Sequence, residues 1–279
     1  MQETRRKFLK TGCAVVAGAT MASGINLLSV KDAKATSAEH PYGWPVEGLD
    51  VEATKDLGYL GYKGTSRFSS AAGKDCASGT FGAIIGQLQE VVSDDPDHPY
   101  HGIPLAMMQW ASGGVVGFAS LCGSINGACA AIGLVCDKDS AKAFIADLLT
   151  WYSETALPIY PSPKYGVPHA QSVAGSNLCH VSVTNWCKAS GYASGSSERS
   201  DRCACLSADV ASKVVEMLNS GVGGVLGNPR DNSTVCGQCH YKGTNSDAGQ
   251  FTRGKMNCHS CHVDITKAST RGHHYGSNK

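Results

Sequence analysis

The sequence lacks an excess of charge of either sign. Its 279 residues include 24 lysines and arginines and 23 aspartates and glutamates, for a formal net charge of +1. A protein that binds nucleic acid carries a basic patch or stripe that meets the phosphates. The balanced charge therefore argues against nucleic acid as a partner.

A strongly apolar run of membrane-spanning length is also missing. Residues 113–135 carry no charge and are long enough to raise the question of a span. Glycine, alanine, serine, asparagine and cysteine fill much of this segment, so its transfer from water into lipid is poorly favourable. We expect a closely packed internal helix there and no membrane span in the mature chain.

Strand signals are weak throughout, whereas helical spacing recurs. Apolar residues at i, i+3, i+4 and i+7 indicate an amphipathic helix that contains Phe81, Ile84, Ile85, Leu88, Val91 and Val92. A second apolar stripe from Val210 to Leu218 follows Ser207, which is the predicted N-cap of this helix. Residues 36–75, rich in proline and glycine, show no period and predict loops. The predicted fold class is mainly α, a helical cysteine-rich body followed by a tail of little regular structure.

The first 35 residues have the layout of an export signal. Arg5 and Arg6 lie in a basic region, a weakly apolar run from Gly12 to Val30 follows, and 33–35 form an A-x-A cleavage site. The paired arginines indicate the twin-arginine route and a periplasmic location. A membrane anchor is the alternative, which the many small residues of the run disfavour. Removal of 1–35 leaves 18 basic and 21 acidic residues.

Two short sequences near the C-terminus have the pattern C-x-x-C-H, the attachment signature of c-type haem. In each, two thiols reach the two vinyl groups on one haem edge, and the following imidazole coordinates the iron as the proximal axial ligand. The thioether cysteines are Cys236 and Cys239, then Cys258 and Cys261, and the proximal ligands are His240 and His262. The glycine-rich stretch 221–233 marks the boundary between a body, 36–220, and a dihaem tail, 221–279.

A zinc ribbon is the rival interpretation of the tail. Eighteen residues separate Cys239 from Cys258, which fits the spacing of a four-cysteine zinc site. A histidine directly follows each cysteine pair, however, and a four-thiolate zinc site does not require it. The predicted export also favours haem.

Each haem iron needs a sixth ligand or an open position. Near the motifs stand His259, His273 and His274, with Met256 as the one thioether, which favours bis-histidine ligation. His259 lies inside the attachment loop of its own haem, so it can reach only the other haem. His273 or His274 would serve the second iron, within the chain or from a partner chain, unless they belong to a disordered end.

Eight cysteines remain in the body after Cys13 and the haem cysteines are set aside. Four thiolates gathered in a core can hold an iron–sulfur cluster, and the twin-arginine route carries proteins that acquire a cofactor before export. Disulfides are the alternative, chiefly between Cys179 and Cys187. Cys129 and Cys136 are equally explained as small buried apolar residues. Cys203 and Cys205 are too close in sequence to bind one tetrahedral iron together, and Cys203 is favoured.

These features together resemble the split-Soret cytochromes c of sulfate-reducing bacteria, over essentially the whole mature chain. The body also resembles the redox-active family named for its CGAxxG motif and four cysteines. The matching stretches are Asp75-Cys76-Ala77, Cys122-Gly123-Ser124-Ile125-Asn126-Gly127, Ser176-Asn177-Leu178-Cys179-His180 and Arg202-Cys203. Ser124 stands where that family has alanine.

The resemblance implies a homodimer with two haems c per chain, the four haems gathered at one end. It implies that an axial histidine crosses the dimer and that the body holds an iron–sulfur centre. The positions it assigns as cluster ligands are Cys76, Cys122, Cys179 and Cys203, with Cys187 as the alternate. We expect an electron carrier for an unidentified redox partner protein and no enzyme activity. The alternative is a haem-based reductase of a small oxyanion or peroxide.

Overall fold

The computed structural model describes residues 42–45, 47–92, 99–225, 243–247, 250 and 254–256. Two compact units divide the chain, Met1–Gly227 and Asn228–Lys279. The predicted signal peptide lies outside the described residues, and so do both haem motifs and His259, His273 and His274. Predictions that concern these residues stay predictions, as do the domain limits after 35 and 220.

The described part of the first unit is mainly helical, which confirms the predicted fold class. Its helices are α1 (Val51–Lys63), α2 (Ser69–Ala72), α3 (Cys76–Val91), α4 (Gly123–Val135), α5 (Lys138–Glu154), α6 (Cys179–Ser190) and α7 (Ser197–Ser220). Two 3-10 helices, Pro99–Gly102 and Leu105–Ala111, lie between α3 and α4. Two short strands, β1 (Ala156–Leu157) and β2 (Ser172–Val173), pair antiparallel, with Ala156 opposite Val173.

The core forms where α1, α3, α4 and α7 pack on one another. The apolar stripe predicted on α3 is buried, with Phe81, Ile84, Ile85 and Leu88 at most 1% exposed. Burial of each such side chain contributes about 1.5–3 kcal/mol. Val91, assigned to the same stripe, lies in the last turn of α3 and is 56% exposed.

The prediction of loops across 36–75 is wrong where helix α1 forms. Asp50 caps its N-terminus by accepting a hydrogen bond from the backbone of α1. Gly58 and Gly61, which suggested a loop, are places where backbones meet. A Cβ at residue 61 would lie 2.7 Å from the Cα of Gly79 on α3, and one at residue 58 would lie 2.9 Å from the carbonyl oxygen of Ser207 on α7. The glycines therefore allow close helix crossing.

Helix α7 begins about ten residues before the predicted N-cap Ser207. Its N-cap is Ser196, whose side chain accepts from the backbone N–H of Arg199 at 3.1 Å. The first turns of α7 are polar, so the apolar stripe does not extend into them. Cys203 and Cys205 consequently lie inside the helix rather than before it.

The predicted small-residue helix over 113–135 begins only at Gly123. Gly113, Gly114 and Gly117 have positive φ angles, and Val115, Val116 and Ala119 share this left-handed conformation. A positive φ is unusual for alanine and is a strained outlier for valine. The segment before α4 is therefore a left-handed loop. Among the described residues, no helix combines the length and the apolar character that crossing a membrane requires.

Candidate metal centre

Four elements of the body each supply one of the cysteines that the family resemblance assigns to the cluster. Cys76 is the first residue of α3, Cys179 is the first residue of α6, and Cys122 is the N-cap of α4. Cys203 lies in the second turn of α7. A helix N-terminus carries partial positive charge, which stabilises a thiolate there. Three of the four thiols thus occupy positions that favour the charged form.

The fold brings these four thiols together, although up to 127 residues separate them along the chain. The Cys76 thiol interacts electrostatically with those of Cys122 and Cys203, and the Cys179 thiol interacts with the same two. All four are free thiols. The four soft sulfur donors thus form one electrostatically linked group, called the four-thiol cluster below, although they are not spaced as tightly as the 4.8 Å of His169, Asp201 and Cys205.

The competing cysteines lie elsewhere in the described structure. Cys187, the alternate ligand, stands two turns after Cys179 on α6, which is about 12 Å along the helix axis. Both residues are free, so the Cys179–Cys187 disulfide is not formed. Cys205 lies fully buried against Tyr59, on another side of α7 from Cys203, because two residues on a helix are about 200° apart.

The glycines of the Cys122–Gly127 stretch have a packing role in the cluster. A Cβ at residue 123 would overlap the Sγ of Cys76, so only glycine lets that thiol approach the start of α4. A Cβ at residue 127 would overlap the carbonyl oxygen of Ala77 on α3. The stretch therefore contributes Cys122 to the cluster, and its Gly123 leaves room for the sulfur of Cys76.

Backbone hydrogen bonds tie the starts of α4 and α6 together. The N–H of Cys122 donates to the carbonyl of Asn177 at 3.0 Å, and the N–H of Cys179 donates to that of Ser120 at 2.7 Å. The left-handed loop before α4 also contributes, since the N–H of Gly113 donates to the sulfur of Cys76. Such N–H donors to sulfur tune the potential of a thiolate-bound cluster.

Burial makes the free thiols hold their protons. It raises the pKa of Cys76 and Cys122 and raises that of Cys179 to about 12, and the neighbouring thiols add to each rise. Four thiolates cannot form close together in the protein interior unless positive charge compensates them. Metal binding supplies that positive charge and releases the protons.

The clearest sign of a compensating charge is Arg202, which is 1% exposed. Its Nη2 donates to the Ser182 hydroxyl at 3.0 Å, and its Nη1 lies 3.9 Å from the Sγ of Cys203. Its buried Nε has no hydrogen-bond partner among the described residues. A guanidinium in the interior needs an anion nearby. The cluster of thiols beside it supplies that anion once it is deprotonated, so the residues present fit an iron–sulfur group.

A second group of possible ligands comprises His169, Asp201 and Cys205, whose donor atoms lie within 4.8 Å of one another. The Asp201 carboxylate already accepts from Tyr59 at 2.8 Å and from His169 at 2.9 Å. The Lys63 ammonium also lies 2.7 Å from it. A cation would have to displace Lys63, so we interpret this group as a buried hydrogen-bond centre that fixes α7 against α1.

Sequence reasoning missed the residues around the thiols rather than the thiols themselves. In the sequence Arg202 stands out only as the neighbour of Cys203, and its burial has no sequence signal. Gly113 belonged to a segment predicted as helix, so its donation to Cys76 had no sequence signal.

Comparisons with known proteins agree with this geometry. The family model described as "Putative redox-active protein (C_GCAxxG_C_C)" matches residues 76–217, which include the four thiols. The split-Soret cytochrome c of Desulfovibrio desulfuricans is 30% identical over 232 residues, which cover 79% of this chain and 78% of that protein. A solved structure described as "A novel iron centre in the split-Soret cytochrome c" from that organism matches with a TM-score of 0.66 and 28% identity. It covers 78% of this chain and 90% of its own.

The four-thiol cluster, the glycines that make room for it and the extent of both matches lead to one assignment: the chain belongs to the C_GCAxxG_C_C redox-active family and is a homologue of split-Soret cytochrome c.

Proposed function

We propose that this chain is a periplasmic dihaem c-type cytochrome that carries electrons and holds an iron–sulfur centre in its body. The observation that carries the body's role is the gathering of Cys76, Cys122, Cys179 and Cys203 beside the buried Arg202. The iron centre named for the Desulfovibrio desulfuricans structure supports the same conclusion. The haem part rests on the two C-x-x-C-H sequences at 236–240 and 258–262.

The proposal assigns separate sets of residues to two redox sites, one in the body and one in the tail. The four body cysteines would hold the iron–sulfur group, which supplies reversible one-electron storage when bound. Gly113 and Arg202 would hold the charge of the thiolates through N–H donation and a fixed positive charge. In the tail, His240 and His262 would bind the haem irons from one side, and His259, His273 or His274 from the other.

A homodimer is part of the proposal, because the resemblance to split-Soret cytochromes c implies an axial histidine that is contributed across the dimer. Light scattering of the purified holoprotein would give twice the chain mass. A monomer with both haems fully six-coordinate would contradict an axial ligand that crosses between chains.

The haem content is tested by intact mass and a pyridine haemochrome assay. We expect two haems per chain, and one after Cys236→Ser with Cys239→Ser. The same result is expected after Cys258→Ser with Cys261→Ser. Zinc in place of haem would overturn the dihaem assignment.

The iron–sulfur content is tested by counting non-haem iron and acid-labile sulfide per chain. Cys203→Ser should lose both, whereas its matched control Cys205→Ser, two residues further along α7, should keep them. Two haem irons and no sulfide in the unmodified protein would remove the iron–sulfur centre from the proposal.

Electron transfer without catalysis is tested by carbon monoxide added to the reduced protein. An iron with two histidine ligands has no open position, so we expect slow and partial binding. Rapid binding at full occupancy would favour the reductase of a small oxyanion or peroxide instead.

A further inference from the structure

Arg202 is a buried positive charge that forms no ion pair with a carboxylate of the described residues. It is 1% exposed and lies on α7 directly before Cys203. Lys63, Arg67 and other basic side chains form ion pairs with carboxylates, but in the described part of the chain Arg202 forms none. The buried Asp209 interacts with it electrostatically but forms no ion pair with it. Burial of a guanidinium without an ion pair is costly, so an anion in closer contact is expected to balance it.

The groups around the guanidinium identify that anion. Its Nη1 lies 3.9 Å from the sulfur of Cys203, and it also interacts electrostatically with the thiol of Cys122. Its Nη2 donates to a neutral acceptor, the Ser182 hydroxyl, at 3.0 Å. Its Nε is buried and has no hydrogen-bond partner in the part of the chain that the structure describes. The arginine therefore faces the four-thiol cluster from the protein interior.

We propose that Arg202 is the fixed counter-charge of the cysteine-ligated centre and raises its reduction potential. This inference rests on the proposed function. One-electron reduction by a donor such as ferrous haem makes the centre one charge more negative, and the donor is left one electron poorer. A fixed positive charge in a medium of low dielectric constant stabilises the more negative state more. Its removal therefore makes reduction harder.

A second arginine provides the comparison that separates buried from exposed charge. Arg199, one turn earlier on α7, also interacts with Cys203, but it is only half-buried and its Nε donates to the carbonyl of Ser194 at 2.5 Å. Water and salt screen an exposed charge far more than a buried one. Loss of the Arg202 charge should therefore change the reduction potential of the centre more than loss of the Arg199 charge, although both arginines interact with the same sulfur.

The test is a redox titration of the full-length holoprotein, monitored by the spectrum of the non-haem iron. Arg202→Gln should lower the equilibrium constant for reduction of the centre at least tenfold, or about 59 mV for one electron. Arg202→Lys, which keeps the charge, should stay within threefold of the unmodified protein. Arg199→Gln should cause a smaller change that disappears in about 1 M salt.

Each alternative result has a defined meaning. An unchanged potential in Arg202→Gln, or loss of iron from both Arg202 variants, would overturn the proposal. If only Arg202→Gln loses iron, Ser182→Ala decides, because it breaks the hydrogen bond to the guanidinium and keeps the charge. Retention of iron in Ser182→Ala supports the counter-charge, and its loss would assign a structural role instead. Absence of non-haem iron and sulfide from the unmodified protein would instead refute the proposed function.

Discussion

The sulfur of Cys76 lies against Gly123 on the neighbouring helix, in the space that a Cβ at residue 123 would fill. The contact joins the first turn of α3 to the first residue of α4. We therefore infer that the cluster requires Gly123 as well as the four cysteines.

Gly123→Ala should displace Cys76 and prevent the cluster from forming. We expect loss of most non-haem iron and sulfide per chain, and a decrease of about 1–3 kcal/mol in the free energy of unfolding from overpacking. Gly133→Ala on the same helix is the control, because nothing lies within 4 Å of a Cβ there. It should keep its iron and gain up to about 1 kcal/mol. Full iron in the Gly123 variant would contradict the packing argument.

Cys179 and Cys187 lie on the same helix and provide a second matched pair. Cys179→Ser should reduce non-haem iron and sulfide because its thiol interacts with those of Cys122 and Cys203. Cys187→Ser should leave both unchanged. Iron analysis of the two purified variants distinguishes them, and the reverse pattern would make Cys187 the ligand.

Asp201 should be among the most sensitive positions for stability. Burial by itself raises its pKa, but hydrogen bonds from Lys63, Ser162, His169 and Tyr59 outweigh burial and hold the pKa well below its usual range. Asp201→Asn leaves Lys63 unpaired and should cost about 3 kcal/mol in urea unfolding. The exposed Asp56, which accepts from Tyr160 at 2.5 Å, is the control, and Asp56→Asn should cost less than about 1 kcal/mol.

The effect of Asp201→Asn should also depend on pH with a definite sign. A carboxyl with a lowered folded-state pKa stabilises the fold above its unfolded pKa of about 3.9. That stabilisation is lost as the pH falls through the depressed pKa of the folded state. The difference between the two proteins should therefore shrink below about pH 4, and a difference that grows there would contradict the assignment.

Asp209 should have the opposite pH dependence. Burial raises its pKa to about 6, although it accepts hydrogen bonds from the backbone N–H groups of Ile159 and Tyr160 at 2.7 and 2.8 Å. The folded state then binds more protons than the unfolded state between about pH 4 and 6. The contribution of Asp209 to stability should fall by up to about 3 kcal/mol as the pH rises through this window.

Urea unfolding of the unmodified chain and of Asp209→Asn at pH 4.5 and 7 measures this contribution. The advantage of the unmodified chain over the variant should be smaller at pH 7. Because the variant lacks the titrating group, other pH-dependent groups cancel in the comparison. Equal differences at the two pH values would contradict a raised pKa.

Several elements of the fold were predictable because their signal is local. The α3 stripe follows from helical spacing, and Phe81, Ile84 and Leu88 are buried as expected. Helix α1 was missed because Gly58 and Gly61 resemble loop residues until their neighbours on α7 and α3 are known. The apolar stripe predicts a late start for α7, because the first turns of the helix are polar and take their cap from Ser196.

The sequence by itself determined the chemistry that depends on spacing along the chain. Two thiols and an imidazole within five residues suffice for haem attachment, whatever the rest of the fold does. The tertiary structure decided what depends on distance through space. Only packing brings Cys76, Cys122, Cys179 and Cys203 from four helices to one place, and only the tertiary structure reveals Arg202 as a buried charge that forms no ion pair with the described residues. A charge and its balancing group need be neighbours only in three dimensions, so no pattern in one dimension records them.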